Sequence, residues 1–484
     1  MRQSGVAFGT SGARGLVTAM TDRVCYAYTA GFLQFLRDEG AWPANGRVAL
    51  AGDLRPSTPR ILAACAEAVR DLGGEPVFCG YVPTPALADW AFTQGIPSLM
   101  VTGSHIPDDR NGIKFYRPHG EILKADEPGI TAQTVDLHRA AWSSEGMLAN
   151  PRPLPPVTDI APGYLARYRD FFGPEALCGR RIGVYQHSAV GRDILVDILT
   201  ALGAEVTPLG RAERFIPVDT EAVRPEDSAL ARQWAAEHGF DAIASTDGDS
   251  DRPLLADHTG EWLRGDVLGV ICARALGLAT VVTPVSSNTL VEKCGAFPRI
   301  ARTRIGSPYV IAAMDAALAA GEGPVGGYEA NGGFLLASPV TSKGRRLGAL
   351  PTRDAVLPII AALVAAGRGP LCDLLAALPP RVTHSDRIEA FAAERRDALM
   401  AWLLPEDAAA RAAHLDAAFA PLAGAVLAGV DLTDGVRLTF ANARVIHLRG
   451  SGNAPELRCY SEAESAETAR DINRAALALV AETV

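Results

Sequence analysis

The sequence predicts an α/β fold: three similar α/β units with mixed, mostly parallel sheets, followed by a smaller α+β unit of a different kind. Three observations lead there. Short β-rich runs alternate with longer Ala/Leu-rich helical patterns over about the first 375 residues. The pattern changes after "ALPPRVTHSD" (377–386). A chain of 484 residues is also too long for one ordinary core.

In chain order, "RVALAGD" (47–53) reads as a strand and "STPRILAACAEAVRDLGG" as a helix ending at Gly73. The strand "PSLMVTG" (97–103) runs into a polar loop. "RIGVYQH" (181–187) precedes the helix "GRDILVDILTALG", and "FDAIAST" (240–246) precedes a second polar loop. "ATVVTPV" (279–285) opens a third series, which includes "GPVGGYEANGG" (323–333). Alternation of this kind implies parallel sheets wrapped by helices, with ligand loops beyond the carboxyl ends of the strands. The stretch "ANPRPLPPVTDIAPG" (149–163) carries five prolines and reads as an extended linker. Breaks there, near "GDVLGVICARALG" and at 377–386 divide the chain into 1–150, 151–264, 265–376 and 377–484. The last part holds an alanine-rich helical region and then "GVRLTFANARVIHLRGSG", with strand-like alternation.

Hydrophobic residues make up 48% and charged residues 21%, a globular balance. A net charge of −9 argues against binding nucleic acid or anionic membrane, since both need a cationic surface. A local arginine cleft for a small anion is still compatible with that charge. The eight cysteines are scattered with no C-x-x-C, so reduced thiols in a cytoplasmic protein are expected. The amino terminus lacks an apolar signal core. "AVLPIIAALVAAG" from Ala355 is too short to span a bilayer and reads as a buried helix.

Four loops carry candidate chemistry. In "STDGDSDRPLL" (245–255), Asp247, Asp249 and Asp251 alternate, so in an extended segment all three carboxylates face one side. Two carboxylates about 4 Å apart repel by roughly 4 kcal/mol at an effective dielectric near 20, and Arg252 offsets only part of that. A divalent cation with oxygen ligands resolves the conflict. A calcium loop is excluded, because its glycine position holds Arg252 and its glutamate position His258. "RGSGNAPELRCY" (449–460) sets Arg449, Ser451, Asn453 and Arg458 around two glycines, suited to an oxyanion. "FGTSGARG" (8–15) holds Arg14, and "GGYEANGG" (326–333) holds Glu329 and Asn331, whose side chains suit sugar hydroxyls. No P-loop occurs. The one G-x-G-x-x-G (321–326) follows a helical pattern, the wrong context for a dinucleotide.

Taken together, "GTSGARG", "TGSHIP", "NGIK", "DGDSDR", "GYEANGG" and "RGSGNAPELR" resemble, in order and over nearly the whole chain, the motifs of the α-D-phosphohexomutase family. That resemblance implies four domains around a central cleft, each supplying one loop. It makes Ser104 the phosphoserine, and Mg²⁺ held by Asp247, Asp249 and Asp251 would also touch its phosphate. Arg252 and Arg14 would act on the transferred group. Lys114 is the implied base, one of only four lysines among 46 basic residues. The sugar phosphate would dock on Arg449, Ser451, Asn453 and Arg458, with Glu329 and Asn331 on ring hydroxyls and Gly306 and Ser307 nearby. His105 is expected to support from a position pointing away from Ser104, because neighbours in an extended segment point apart. His187 is left as a structural residue.

The chain departs from the family pattern at Ile106, often Asn, at Gly333, often His, and at Ser307, sometimes His or an acid. The expected reaction interconverts mannose 6-phosphate and mannose 1-phosphate through a hexose 1,6-bisphosphate, which also serves as activator, in a monomer or homodimer. The alternatives are a phosphoglucomutase, a phosphoglucosamine mutase, a Mg²⁺-dependent phosphatase or a non-catalytic sugar-phosphate-binding protein.

Overall fold

The computed structural model describes residues 1, 4–9, 12–450 and 456–483. At the centre of the first unit, strand Arg47–Gly52 pairs in parallel with Glu75–Tyr81 and Ser98–Val101. Its side chains alternate between two buried faces. Val48 and Leu50 pack with helices Asp22–Asp38 and Thr58–Asp71, while Ala49 and Ala51 pack with helix Thr84–Gln94. Arg110–Arg117 then returns antiparallel beside Ser98–Val101, followed outward by Ala13–Leu16 and Ala7–Phe8.

The same parallel centre recurs twice. Arg181–His187 is flanked by Glu205–Arg211 and Ala242–Thr246, and Pro253–Ala256 adds an antiparallel edge. Thr280–Pro284 is flanked by Arg299–Thr303 and Val325–Tyr328, extended by antiparallel Phe334–Leu336 and Leu350–Asp354. The sheets are therefore mixed, as expected, but only the second is mostly parallel. In the first, two hairpins return along the sheet, and antiparallel pairs outnumber parallel ones.

The fourth unit is an all-antiparallel sheet in the order Val382–Ile388, Leu457–Ala463, Val445–Gly450, Val436–Phe440, Leu427–Asp431. Helices Ala393–Leu403, Ala408–Ala423 and Ala466–Thr483 accompany it. It has its own core around Leu415, Phe419, Leu438 and Ile472. By contrast, one hydrophobic cluster runs through the first three units, from Met100 and Tyr116 through Tyr164 and Val184 to Tyr328 and Ile360.

The proline-rich stretch carries no regular element until helix Ala161–Phe172 begins. Val356–Ala365 is the buried helix read from the apolar run. Among the described residues no helix is long and apolar enough to cross a membrane. Gly321 follows helix Ser307–Ala319, so the G-x-G-x-x-G run leads into a strand instead of following one.

Candidate active site

Strand Ser98–Val101 ends at the serine loop, whose path is moulded by a buried arginine. Arg55 donates from Nη2 to the carbonyls of Ser104 (2.9 Å) and Ile106 (2.5 Å), and from Nη1 to those of Pro107 (2.7 Å) and Arg110 (3.0 Å). Asp53 orients it, accepting from Arg55 Nε at 3.0 Å and from Thr102 Oγ1 at 2.7 Å. Thr102 Oγ1 in turn accepts the Ser104 N–H at 2.8 Å. These bonds hold Ser104 at φ +57°, a left-handed conformation that a non-glycine residue keeps only when its surroundings impose it. Its hydroxyl is fully buried and donates to Asp247 Oδ2 at 2.7 Å.

The loop is therefore not extended, and the expected outward direction of His105 is overturned: its Nδ1 lies 3.4 Å from Ser104 Oγ. Burial, followed by the charges of Arg252 and Arg14, holds the His105 imidazole well below its usual range and hence neutral.

The three aspartates converge by a turn, not by strand alternation. Ser250 sits at φ +58°, and the Ser250 N–H bonds back to the Asp247 carbonyl at 3.2 Å. A side chain at Gly248 would place its Cβ 2.6 Å from the Ser104 carbonyl oxygen, so glycine lets this turn pack onto the serine loop. Asp247, Asp249 and Asp251 are fully buried, with one oxygen from each within 4.8 Å of the others.

Asp249 and Asp251 each have one oxygen that accepts two hydrogen bonds and one that accepts none. Asp249 Oδ2 accepts from Lys114 Nζ and Thr84 Oγ1, both at 2.6 Å, and Asp251 Oδ2 accepts from Lys114 Nζ at 2.5 Å and Arg353 Nε at 2.9 Å. Asp249 Oδ1 and Asp251 Oδ1 are buried without a hydrogen bond. Three converging carboxylates beside the Ser104 hydroxyl, two of them with a hard oxygen that accepts no hydrogen bond, fit a divalent cation such as Mg²⁺. Burial, with the charges of Asp249 and Asp251, raises the Asp247 carboxyl well above its normal value. Burial also works against ionised Asp251, but Arg353 and Lys114 outweigh it and hold that carboxyl low.

Lys114 is 2% exposed and donates hydrogen bonds to two carboxylates, so in this arrangement its Nζ is occupied by them. Arg252 Nε lies 3.8 Å from Asp247 Oδ2 and 3.7 Å from Asp251 Oδ1. Arg14 lines the same cleft, and burial, then Arg252 and Arg353, lowers its pKa to about 10.

The cleft encloses about 640 Å³. Among its described lining residues, seven arginines (Arg14, Arg110, Arg252, Arg353, Arg387, Arg449 and Arg458) outnumber four carboxylates (Asp219, Glu221, Glu329 and Glu456). An acidic chain thus carries a locally cationic pocket, suited to a small anion. Glu329 and Asn331 stand on the turn between Val325–Tyr328 and Phe334–Leu336. Asn331 Oδ1 accepts the Gly333 N–H at 2.9 Å, and its backbone carbonyl accepts from Thr220 Oγ1 at 2.8 Å, which leaves its amide N–H groups for a ligand.

At the far end, Arg449 Nε donates to Asp434 Oδ1 at 2.8 Å, and Arg458 approaches Glu456 at 3.4 Å. Ser451 and Asn453 lie outside the described residues. Gly306, at φ +129°, precedes helix Ser307–Ala319. Ser307 is fully buried behind the cleft wall, donating to Glu121 Oε2 at 3.1 Å. His187 is buried, its Nε2 2.8 Å from the Thr246 carbonyl oxygen, as a structural histidine would be.

Sequence reading missed Arg353, Asp219, Glu221 and Arg387, which belong to no glycine-rich motif. One signal was available: Asp219 and Glu221 form an alternating acidic pair just after the second unit's strand Glu205–Arg211.

Four family models match successive parts of the chain: phosphoglucomutase/phosphomannomutase alpha/beta/alpha domain I at residues 5–138, domain II at 164–260, domain III at 264–382 and the C-terminal domain at 399–479. A Sinorhizobium fredii protein named phosphomannomutase is 46% identical over 478 residues, covering 98% of this chain and 99% of its own. One from Salmonella muenchen, with the same name, is 44% identical over 475 residues, covering 98% and 95%. A solved structure of a phosphoglucomutase/phosphomannomutase family protein from Burkholderia thailandensis, 19% identical, shares the fold with a TM-score of 0.73 over 98% of this chain and 97% of its own.

Proposed function

This chain belongs to the phosphoglucomutase/phosphomannomutase family, and on that premise we propose that it interconverts mannose 6-phosphate and mannose 1-phosphate. Residues 1–150 carry the phosphoserine, 151–264 the cation, 265–376 the sugar contacts and 377–484 the phosphate site. The observation that carries the reading is the buried Ser104 hydroxyl, 2.7 Å from Asp247 and beside two unpartnered carboxylate oxygens. The mannose preference rests on the names of the two full-length relatives.

Phospho-Ser104 gives its phosphoryl group to the free hydroxyl of the bound monophosphate. The Ser104 O–P bond breaks, a sugar O–P bond forms, the sugar hydroxyl's proton passes to a base, and Ser104 Oγ takes up a proton to give the hydroxyl that donates to Asp247. The resulting hexose 1,6-bisphosphate reorients in the cleft, and its other phosphate returns to Ser104, so the same compound primes the enzyme. In both orientations a phosphate sits on Arg449, Arg458, Ser451 and Asn453. Glu329 and Asn331 hold ring hydroxyls, with Gly306 and Ser307 framing the loop.

Ser104, Asp247, Asp249 and Asp251 would hold Mg²⁺, which when bound neutralises charge on the phosphoryl oxygens. Arg252 and Arg14 add fixed positive charge at the same group. Of the two candidate bases, His105 is neutral but burial and the charges of Arg252 and Arg14 oppose its protonation, whereas Lys114 must first be released from Asp249 and Asp251. The reading places a monomer or homodimer in the cytoplasm, in keeping with eight free cysteines.

The test primes purified protein with hexose 1,6-bisphosphate and Mg²⁺, then supplies mannose 1-phosphate, glucose 1-phosphate or glucosamine 1-phosphate. Mannose 6-phosphate formed without free phosphate supports the reading. Net phosphate release, faster turnover of another sugar, or binding without turnover overturns it.

A further inference from the structure

No motif marks Arg353, yet it joins the metal turn to the sugar loop. It stands near the end of strand Leu350–Asp354 and is 2% exposed. Nε donates to Asp251 Oδ2 at 2.9 Å, and Nη1 donates to Glu329 Oε2 at 3.1 Å and Ser307 Oγ at 3.3 Å. Nη2 is buried without a partner. The contact continues into the first unit, because Glu121 accepts from both Ser307 (3.1 Å) and Thr352 (2.6 Å). One guanidinium thus lies between two buried carboxylates of different units. Its planar fork pairs with both and fixes their relative direction, which a point charge cannot do. Arg353 and Lys114 take Asp251 Oδ2, and Oδ1 is left without a hydrogen bond in the group of three aspartates.

Gly333 is the space this arrangement requires. A Cβ there would lie 2.7 Å from both Cγ and Cδ of Arg353 and 3.1 Å from its Cβ. Any side chain at 333 and the present Arg353 conformation exclude one another. The sequence departure at Gly333 thereby acquires a physical cause.

We propose that Arg353 is a positioning residue that ties Glu329 of the sugar loop to Asp251 of the metal turn, so that sugar binding and cation binding reinforce each other. Gly333 is glycine to admit it. The inference rests on the cation and sugar roles proposed above.

The test compares wild type with Gly333→Ala, Arg353→Lys and the double variant. Mg²⁺ binding to the intact chain is measured by calorimetry, with and without mannose 6-phosphate, beside KM, kcat and melting temperature. In wild type, mannose 6-phosphate tightens Mg²⁺ binding, and Mg²⁺ tightens the sugar by the same factor. Each single variant weakens Mg²⁺ binding by about tenfold and removes most of that mutual tightening, the size typical of losing a group that orients a ligand carboxylate. The double variant is no worse than the worse single one, because both act through the same contact. A merely structural role would lower the melting temperature and leave the mutual tightening intact.

The proposal is overturned if Gly333→Ala keeps wild-type Mg²⁺ affinity and tightening, or if the two effects multiply. Should Arg353→Lys fail to fold, Gly333→Ala alone decides. A wild type that isomerises mannose phosphates but shows no mutual tightening sinks this inference and spares the reaction; a wild type that does neither sinks both.

Discussion

Ser104 is shaped by contacts that come from outside its own loop. The backbone is left-handed, the N–H is taken by Thr102, and the hydroxyl faces Asp247 from a different unit. Ser104→Ala should abolish isomerisation and leave mannose 6-phosphate binding within a few-fold of wild type, because the phosphate and sugar contacts lie elsewhere in the cleft. Calorimetric titration beside a coupled assay checks both halves, and retained turnover would remove Ser104 as the phosphoryl carrier. Asp249→Asn removes a charge but not the shape. It should raise the Mg²⁺ concentration for half-maximal activity by about tenfold or more, given how metal sites respond to the loss of an ionised ligand.

Among the elements, the serine loop and the linking loops of the fourth unit depend on single charged side chains. Arg55 satisfies four carbonyls and balances Asp53, both fully buried. Arg55→Met would leave a buried carboxylate unpaired, a loss of about 3–5 kcal/mol that urea unfolding would register as a lower midpoint. Asp434 links two loops of the cleft, accepting from the Ile305 N–H at 2.9 Å and from Arg449 at 2.8 Å. Asp434→Ala should raise KM by about three- to tenfold with kcat less affected, because Arg449 then pays more ordering entropy on binding phosphate. An unchanged KM would show that Arg449 needs no such anchor.

On the scale of the whole molecule, two buried histidines contribute to the response to acid. His187 and His447 both have pKa values lowered from 6.5 to about 4, chiefly by burial. Between those values the unfolded chain binds protons that the folded chain refuses. Their contribution to stability is therefore complete above pH 6.5 and falls as pH drops toward 4, by up to about 1.4 kcal/mol per pH unit for each histidine. Urea midpoints at pH 7.5, 6 and 4.5 test the slope, and His447→Gln should flatten it. One core runs through the first three units, and the sheet of the fourth has a separate one. The fourth unit meets the third through polar anchors: Glu462, held by Arg381 of its own unit, accepts from Thr289 Oγ1 at 2.5 Å.

What the sequence by itself determined was local and periodic. Alternating strand and helix patterns gave three related sheets and a fourth part of another kind. Glycine-rich loops after strands marked the serine, the aspartates, Glu329 and the arginine end, because a loop that must bend sharply or approach closely leaves glycine in the letters. The directions of side chains were not legible: the aspartates meet through a turn, His105 lies against Ser104, and Ser307 is turned toward Glu121. Only the tertiary structure decided the partners Arg55, Arg353 and Asp434. Their work is done across long separations in the chain, and a buried charge is fixed by whatever the folding of distant segments places opposite it.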